Sequence, residues 1–379
     1  MLRDSGTPLY EFFAGGGLAR LGLEPEFACA FANDIDPAKV RAYRAAFPGE
    51  DMREGDIWKL SPADLPGHAA LAWASFPCQD LSLAGARRGL AAPRSGAFWG
   101  FHALMEKLAH ERRAPDVLAL ENVTGLLSSH AGADFTALAH AIDALGYRLG
   151  ALEIDASLFT PQSRPRLFIV AARNPPAHLM ASGPSEPFHS PALRAVVARM
   201  PDALRKHFIW WRLAAPPKRN TQLADMLDDD AHVAWNSEAQ TQRLLDQMSP
   251  LQIARVDALR ESGKRAVGAV FRRIRVEHGQ RVQRAEARFD GLAGCLRTPA
   301  GGSSRQQLLF IEGEATRSRL LSPREAARLM GVPEEYPLPP GQTAALHLLG
   351  DAVCVPVVRW LSHNLLAPLA GAAAERKRA

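Results

Sequence analysis

Residues 8–17 read Pro-Leu-Tyr-Glu-Phe-Phe-Ala-Gly-Gly-Gly, an apolar strand that runs directly into a glycine-rich turn. Glycine allows a tight turn and a close approach of the backbone to a ligand, as in the nucleotide-binding turns of α/β domains. The turn lacks the dinucleotide-binding fingerprint, because Leu18-Ala19-Arg20 follows the third glycine. Tight turns also use glycine for steric reasons alone, so the role of this turn depends on its surroundings.

Short apolar strands alternate with amphipathic helices from residue 8 to residue 172. After the first strand we predict strands at 26–33, 71–75, 117–120, 150–154 and 167–171. Repeated β-α units favour a mostly parallel sheet that helices cover on both faces. Beyond residue 174 prolines and basic loops replace this pattern. The sequence therefore predicts an α/β domain over 1–176, completed by 319–379, and a smaller, irregular domain over 177–318.

The composition is that of a globular protein, with 47% hydrophobic and 22% charged residues. No uninterrupted apolar run reaches the ~18–20 residues of a membrane span, and the first residues lack a signal-peptide pattern. The four cysteines lie far apart, without the spacing of a zinc site or a disulfide framework. We therefore expect a cytoplasmic protein with reduced thiols, no metal and no membrane association.

The net charge of +5 is a mild indication of a polyanionic partner. Its distribution is more informative, because residues 264–288 contain eight lysines and arginines against two glutamates. Apolar residues such as Val270 and Ile274 are interleaved there, so parts of this window could be strands that present arginines. A solvated charged face is the usual alternative for such a run.

Acidic residues follow the glycine turn at two informative places. Asn33-Asp34-Ile35-Asp36 stands at the end of the second predicted strand, roughly ~20 positions after the turn, where a carboxylate can accept hydrogen bonds from ribose hydroxyls. Gly55-Asp56-Ile57 offers a further acidic loop, suited to the amino edge of an adenine. Together with the turn, these residues predict a cofactor that contains a nucleoside.

Reactive side chains stand at the ends of other predicted strands. Cys78 follows strand 71–75, Glu121 follows strand 117–120, and residues 162–166 read Gln-Ser-Arg-Pro-Arg. In a parallel sheet we expect all of them at one carboxyl edge, beside the glycine turn. Nearby positive charge makes a thiolate nucleophile available near neutral pH, and a carboxyl group can donate to a ring nitrogen. Alone, Cys78 would be an ordinary buried thiol and Glu121 a structural acid, but together they indicate a nucleophilic site.

In order and content, these motifs resemble those of the bacterial and phage DNA (cytosine-5)-methyltransferases. The most specific of them are Pro77-Cys78-Gln79 and Glu121-Asn122-Val123, in this order and spacing. The resemblance extends over nearly the whole chain except 177–299, where the family keeps its variable target-recognition region. The matching segments are 13–17, 33–36, 55–57, 76–79, 94–96, 121–123, 162–166, 319–331 and 350–353.

The resemblance implies a Rossmann-like methyltransferase domain that uses S-adenosylmethionine, with a target-recognition domain beside it. It also implies that Cys78 attacks C6 of a cytosine, that Glu121 hydrogen-bonds or protonates N3, and that Arg164 contacts O2. The methyl group then passes to C5. Because the base cannot be reached inside a duplex, it must be flipped out, which costs a few kcal/mol.

Further site residues follow from the same resemblance or from their position in the chain. For the cofactor we expect Phe13, Gly15, Gly17, Asp34, Ile35, Asp56, Ile57, Pro77, Asp351, Ala352 and Val353. For the substrate we expect Gln79, Ser82, Asn122, Arg166, Arg297, Thr298 and Arg305, although the last three could equally belong to a structural loop. The chain departs from the family pattern at Leu18, Ala70 and Asp351, which affects details of the cofactor site and not the nucleophile.

The expected partner is double-stranded DNA with a specific target sequence, bound by a monomer, and a cognate restriction endonuclease acting separately is a candidate partner. Two alternatives remain open. A tRNA cytosine-5 methyltransferase of the same fold is one, although the long 177–299 segment favours duplex DNA. A catalytically silent DNA-binding homologue is the other, although intact Cys78, Glu121 and Arg164 argue against it.

Overall fold

The computed structural model of the chain describes residues 6–77, 96–230, 233–277, 279–299 and 305–378. The predicted site residues Cys78, Gln79 and Ser82 lie outside these ranges. The described residues form two compact units. The first draws on Met1–Asp155, Pro165–Pro216 and Val355–Ala379, and the second on Ala156–Arg164 and Pro217–Cys354.

The regular elements of both units follow in chain order. The strands are β1 (Thr7–Phe12), β2 (Phe27–Asp34), β3 (Met52–Glu54), β4 (Leu71–Ala74), β5 (Val117–Val123), β6 (Arg148–Asp155), β7 (Pro165–Ala172), β8 (Met180–Ala181), β9 (Trp210–Trp211), β10 (Ala266–Glu277), β11 (Gln280–Arg288), β12 (Gln307–Glu312) and β13 (Ala315–Leu320). The helices are α1 (Leu18–Leu23), α2 (Pro37–Ala46), α3 (Ala97–His110), α4 (Ala133–Ala144), α5 (Pro191–Ala198), α6 (Asp202–His207), α7 (Glu238–Leu245), α8 (Pro250–Glu261), α9 (Pro323–Leu329), α10 (Gln342–Asp351), α11 (Val355–Leu361) and α12 (Ala367–Arg378).

A seven-stranded sheet in the order β3-β2-β1-β4-β5-β7-β6 forms the centre of the first unit. Strands β1 to β5 pair in parallel, whereas β7 is antiparallel to both β5 and β6. All four residues of β4 are buried, as expected for a parallel strand covered on both faces. The strand order reverses between β1 and β4, and open α/β sheets bind ligands at the carboxyl ends of the strands around such a point. The predicted α/β, Rossmann-like fold is confirmed.

The two units divide the chain differently from the predicted domains. Residues 177–216 belong to the first unit, because β8 pairs with β9, Ile209 bridges to Gly150 in β6, and Leu193 joins the main core. Residues 319–354 belong to the second unit, because β13 pairs with β12. Proline breaks a regular element without ending a domain, so the change in composition after residue 174 marked a change of element type and not the boundary.

The last helices return to the first unit, as the sequence predicted. Arg359 donates a hydrogen bond to the carbonyl of Leu21 at 2.9 Å. A Cβ at Gly22 would lie 2.6 Å from Cβ of Val358, so α1 and α11 pack with almost no space between them. The range Gln342–Arg378, which contains α10, α11 and α12, is long and apolar enough, by length and composition alone, to cross a membrane. Half of its most apolar window is buried in the structure, as in core helices that pass the same test.

The second unit contains an antiparallel sheet in the order β11-β10-β12-β13. Helices α7 and α8 pack on it around Val256, Val270 and Leu309. Inside this unit Arg319 donates to both carboxylate oxygens of Glu325, at 2.8 and 2.6 Å, and neither side chain is more than 1% exposed. The basic window 264–288 thus supplies two paired strands, and this part of the chain is more regular than the sequence suggested.

Candidate active site

The glycine turn after β1 has a backbone conformation that depends on glycine. Gly15 and Gly17 have φ values of +58° and +78°, and Phe13 adopts +56°. A Cβ at Gly17 would lie 2.4 Å from the ring of Phe47, so no other residue fits there without rearrangement. At Gly15 no atom lies within 4 Å of the Cβ position, so its backbone borders open space that a ligand can approach.

Asp34 connects this turn to the end of β2. Its carboxylate is buried and accepts hydrogen bonds from the backbone N–H groups of Gly15 and Asp36, each at 2.8 Å. A carboxylate has about four acceptor positions, so two remain for other donors. The side chain of Asn33 donates to the carbonyls of Arg53 and Gly55, at 3.0 and 2.9 Å, which holds the loop after β3 beside the end of β2.

Apolar side chains accompany these acids. Ile35, directly after Asp34, is 64% exposed, which is unusual for a large aliphatic residue. In the next loop Asp56 accepts a hydrogen bond from the backbone of Trp58 at 3.0 Å, Ile57 is buried, and the indole of Trp58 is largely exposed. The ends of β2 and β3 therefore present acceptors next to flat, apolar surface, and Trp58 is the member of this group that the sequence reasoning missed.

Glu121 pairs with Arg166, and the reversed direction of β7 explains why. Arg166 near the start of β7 lies opposite Val123 near the end of β5, so it shares a face with Glu121. Arg166 Nε lies 3.2 Å from Glu121 Oε1, and both side chains are at least 85% buried. From the sequence we expected residues 162–166 at the carboxyl edge of a parallel sheet. Strand β7 is antiparallel to β5, so this segment reaches the same edge because β7 begins there.

Asn122 fixes the chain next to this ion pair. Its side chain is buried, donates to the carbonyl of Phe76 at 3.4 Å, and accepts from the backbone of Val123 at 2.9 Å. Phe76 packs into the core, whereas Pro77 is exposed. The segment after β4 that leads to Cys78 therefore lies directly beside Glu121 and Asn122.

Arg164, predicted as the catalytic arginine, has a different environment. It belongs to the second unit and is 1% exposed. One guanidinium nitrogen donates to the carbonyl of Leu296 at 2.8 Å, and the other to those of Gly350 and Ala352, at 2.9 and 2.6 Å. These contacts join three segments of the second unit and favour a structural role. A sequence motif with two arginines cannot show which one faces the site, whereas the strand register does.

The remaining predicted residues lie in the second unit. A Cβ at Gly350 would lie 2.5 Å from the backbone N of Thr298, so the 296–298 loop packs tightly on α10. Arg297 is exposed, and Arg305 donates to the hydroxyl of Thr343 at 2.7 Å. Asp351 is exposed at the end of α10, and Ala352 and Val353 follow it, with Val353 buried. Their predicted contacts with substrate or cofactor stay predictions.

Comparison with known proteins adds to this geometry. The model of the C-5 cytosine-specific DNA methylase family matches residues 8–367. The chain belongs to this family of DNA cytosine-5 methyltransferases. It is 28% identical to the Type II methyltransferase M.NlaX of Neisseria lactamica, over 97% of this chain and 99% of that protein. It is 25% identical to the Type II methyltransferase M.HhaI of Haemophilus parahaemolyticus, over 95% and 94% of the two chains.

Solved structures share the fold of this methyltransferase. The S. pombe Dnmt2 methyltransferase superimposes with a TM-score of 0.58 at 18% identity, over 96% of this chain and 99% of that one. The Entamoeba histolytica methyltransferase EhMeth gives a TM-score of 0.60 at 14% identity, over 98% and 99%. The similarity of fold thus extends over nearly the whole chain.

Proposed function

We propose that this methyltransferase transfers a methyl group from S-adenosylmethionine to C5 of a flipped-out cytosine in a specific double-stranded DNA sequence. The buried Glu121–Arg166 pair, next to the segment that leads to Cys78, is the observation that carries the proposal. It brings a carboxyl group and a guanidinium group to the end of β5, where the family motif supplies a thiol.

The chemistry follows from the weak nucleophilicity of cytosine C5. The Cys78 thiolate adds to C6, so that electron density moves toward C5 and N3, and Glu121 hydrogen-bonds or protonates N3 to stabilise this adduct. When bound, S-adenosylmethionine supplies the electrophilic methyl group that C5 takes up. Loss of the C5 proton to a base then restores the double bond and expels Cys78 from C6.

Arg166 is the arginine that we assign to the reacting base, in place of Arg164. Its guanidinium lies against Glu121 and can both hold that carboxyl group in position and donate to the O2 atom of cytosine. Arg164 donates to three backbone carbonyls and serves the second unit instead.

The residues around the glycine turn fit S-adenosylmethionine. The open space at Gly15 lets the ligand approach the backbone, and the spare acceptor positions of Asp34 suit the two ribose hydroxyls. Asp56 stands where it can accept from the adenine amino group, and the exposed side chain of Ile35 offers apolar surface for the ring. Phe13, Gly17, Ile57 and Pro77 complete the proposed set, with Asp351, Ala352 and Val353 as further members.

The relatives are Type II methyltransferases, so duplex DNA is the proposed substrate and a separate restriction endonuclease a proposed companion. A monomer in the cytoplasm fits this role. The tRNA methyltransferase and the silent homologue remain the competing functions, and no described contact favours either of them.

A duplex with 5-fluorocytosine at the target position tests the mechanism. Fluorine at C5 cannot leave as a cation after methyl transfer, so the Cys78–C6 bond should persist and give a protein–DNA complex that survives denaturing electrophoresis. Cys78→Ala should give no complex, and Glu121→Gln should form it far more slowly. A denaturant-stable complex with Cys78→Ala would overturn the proposed nucleophile.

A further inference from the structure

The strands β10 and β11 extend beyond the sheet to which they belong. β10 pairs with β12 only from Ala266 to Val270, but with β11 as far as Glu277. Residues 271–277 and 280–286, here called the ribbon, therefore form a two-stranded structure, and the only further strand-like pairing within the described residues is the bridge of Ala285 to Met248 at its base. Two-stranded hairpins are marginally stable in water, so a ribbon of this length suggests a partner.

The two faces of the ribbon differ. Opposite residues of an antiparallel pair share a face, so Arg273, Arg275 and Arg284 lie on one side with Glu277 and Glu286. Arg275 contacts Glu286 at 2.5 Å, and Arg284 Nε donates to Glu277 at 2.8 Å. The arginines of this first face are thus largely neutralised by cross-strand ion pairs.

The second face has no such compensation. Ile274 lies opposite Gln283, and Val276 lies opposite Arg281. Ile274 and Val276 are 56% and 73% exposed, and they are among the few large hydrophobic side chains that the described residues leave in solvent. Arg281 is also exposed and makes no ion pair with any described residue. An apolar pair next to an uncompensated cation is the composition of a binding surface.

We propose that this second face of the ribbon enters the major groove of the substrate DNA, with Val276 and Arg281 against base edges. The charge of the ribbon favours this partner, because the ribbon contains five arginines and two glutamates. The major groove of B-DNA accommodates a two-stranded ribbon, and an arginine can contact guanine O6 and N7 there while aliphatic groups contact thymine methyls. The inference rests on the proposed function, which supplies duplex DNA as the substrate.

The position of these residues determines what the ribbon contributes. Val276 and Arg281 are close to the turn between the strands, so they reach furthest into a groove that the ribbon enters tip first. The ion pairs on the first face hold the strands together without binding DNA. Arg281 therefore contributes to the choice of target sequence, whereas Arg275 contributes to the shape of the ribbon.

The test measures binding of two duplexes by fluorescence anisotropy, one with the methylated site found by bisulfite sequencing and one of random sequence. Arg281→Gln should lower the preference for the target duplex by about tenfold or more, and Val276→Ser should lower it in the same direction. The matched control Arg275→Gln should leave the preference unchanged. Circular dichroism of each variant shows whether the fold is retained.

A second measurement identifies the groove. Replacing the target guanines by 7-deazaguanine removes the N7 acceptor from the major groove, and this change should weaken wild-type binding but have little further effect on Arg281→Gln. Equal target preference for wild type and Arg281→Gln would overturn the inference, as would an equal loss of target preference in Arg275→Gln and Arg281→Gln. Binding of tRNA at the ribbon, or association of two protein copies through the ribbon, would also overturn it. If the wild type methylates no DNA at all, the proposed function fails; if it methylates DNA and Arg281→Gln keeps full preference, only the ribbon inference fails.

Discussion

Glu11 is the next-to-last residue of β1, just before the glycine turn, and should make the stability of the fold depend on pH. The side chain is completely buried, and this burial raises the pKa of Glu11 from 4.5 to about 8 against the attraction of Arg20. The folded protein therefore holds a neutral acid at neutral pH, whereas the unfolded chain ionises it above about pH 4.5. The loss of folding stability caused by the raised pKa of Glu11 is therefore absent below the unfolded pKa, grows as the pH rises, and levels off above about pH 8.

The size of the effect follows from the shift. One pKa unit corresponds to about 1.4 kcal/mol, so between pH 5 and pH 8 the ionisation of Glu11 should remove about 3.5 kcal/mol of stability from the wild type. Glu11→Gln has nearly the same shape and does not ionise. From pH 5 to pH 8 the free energy of unfolding of Glu11→Gln should therefore increase relative to that of the wild type by about 3.5 kcal/mol.

Urea unfolding at pH 5, 6, 7 and 8 checks this, followed by tryptophan fluorescence, because Trp73 on β4 lies opposite Glu11 in the sheet. Glu54→Gln, at an exposed position at the end of β3, is the control. Its free energy of unfolding should change with pH in the same way as that of the wild type. A raised pKa of Glu11 is contradicted if the difference in free energy of unfolding between Glu11→Gln and wild type changes by less than about 0.5 kcal/mol from pH 5 to pH 8.

Three further substitutions test the site and its framework. Arg166→Ala removes the partner of Glu121 and should lower kcat by about 10²-fold; because it leaves the buried carboxyl group of Glu121 without this partner, it should also lower the unfolding midpoint, and steady-state methylation of the folded protein and thermal melts measure both. Arg164→Met should instead cost about 3 kcal/mol of stability, because it leaves buried carbonyls without a donor; a normal melting temperature would contradict the structural role. Gly17→Ala requires φ near +78° and a contact of 2.4 Å with Phe47, so it should cost about 1–3 kcal/mol and weaken binding of S-adenosylmethionine in calorimetry.

The sequence was sufficient to predict the α/β sheet. The period of the β-α units, the glycine turn and the acids after β2 and β3 are local signals, and each of them lies where it was expected. The proposed assignment of Arg166 in place of Arg164 was not predictable, because it depends on the direction of β7 and on the register that places Arg166 beside Glu121. Direction and register arise from long-range pairing, which a single sequence does not display.

The domain boundaries and the ribbon illustrate the same limit. Prolines after residue 174 indicated a new domain, but Leu193 and Ile209 still pack on the first sheet. The arginines of 264–288 were read as an indication of a polyanionic partner, yet only the pairing of β10 with β11 shows which of them are neutralised by glutamates. Alternation along a strand is visible in a sequence, but the identity of the cross-strand neighbour is not.

The most direct test of the central claim is transfer of label from methyl-labelled S-adenosylmethionine to purified nucleic acid. Unmodified genomic DNA and tRNA are incubated separately with the wild type and with Cys78→Ala, and the labelled nucleoside is identified after digestion. We expect 5-methyl-2′-deoxycytidine from DNA with the wild type only. Label in tRNA alone, label at a position other than C5, or transfer by Cys78→Ala would contradict this expectation.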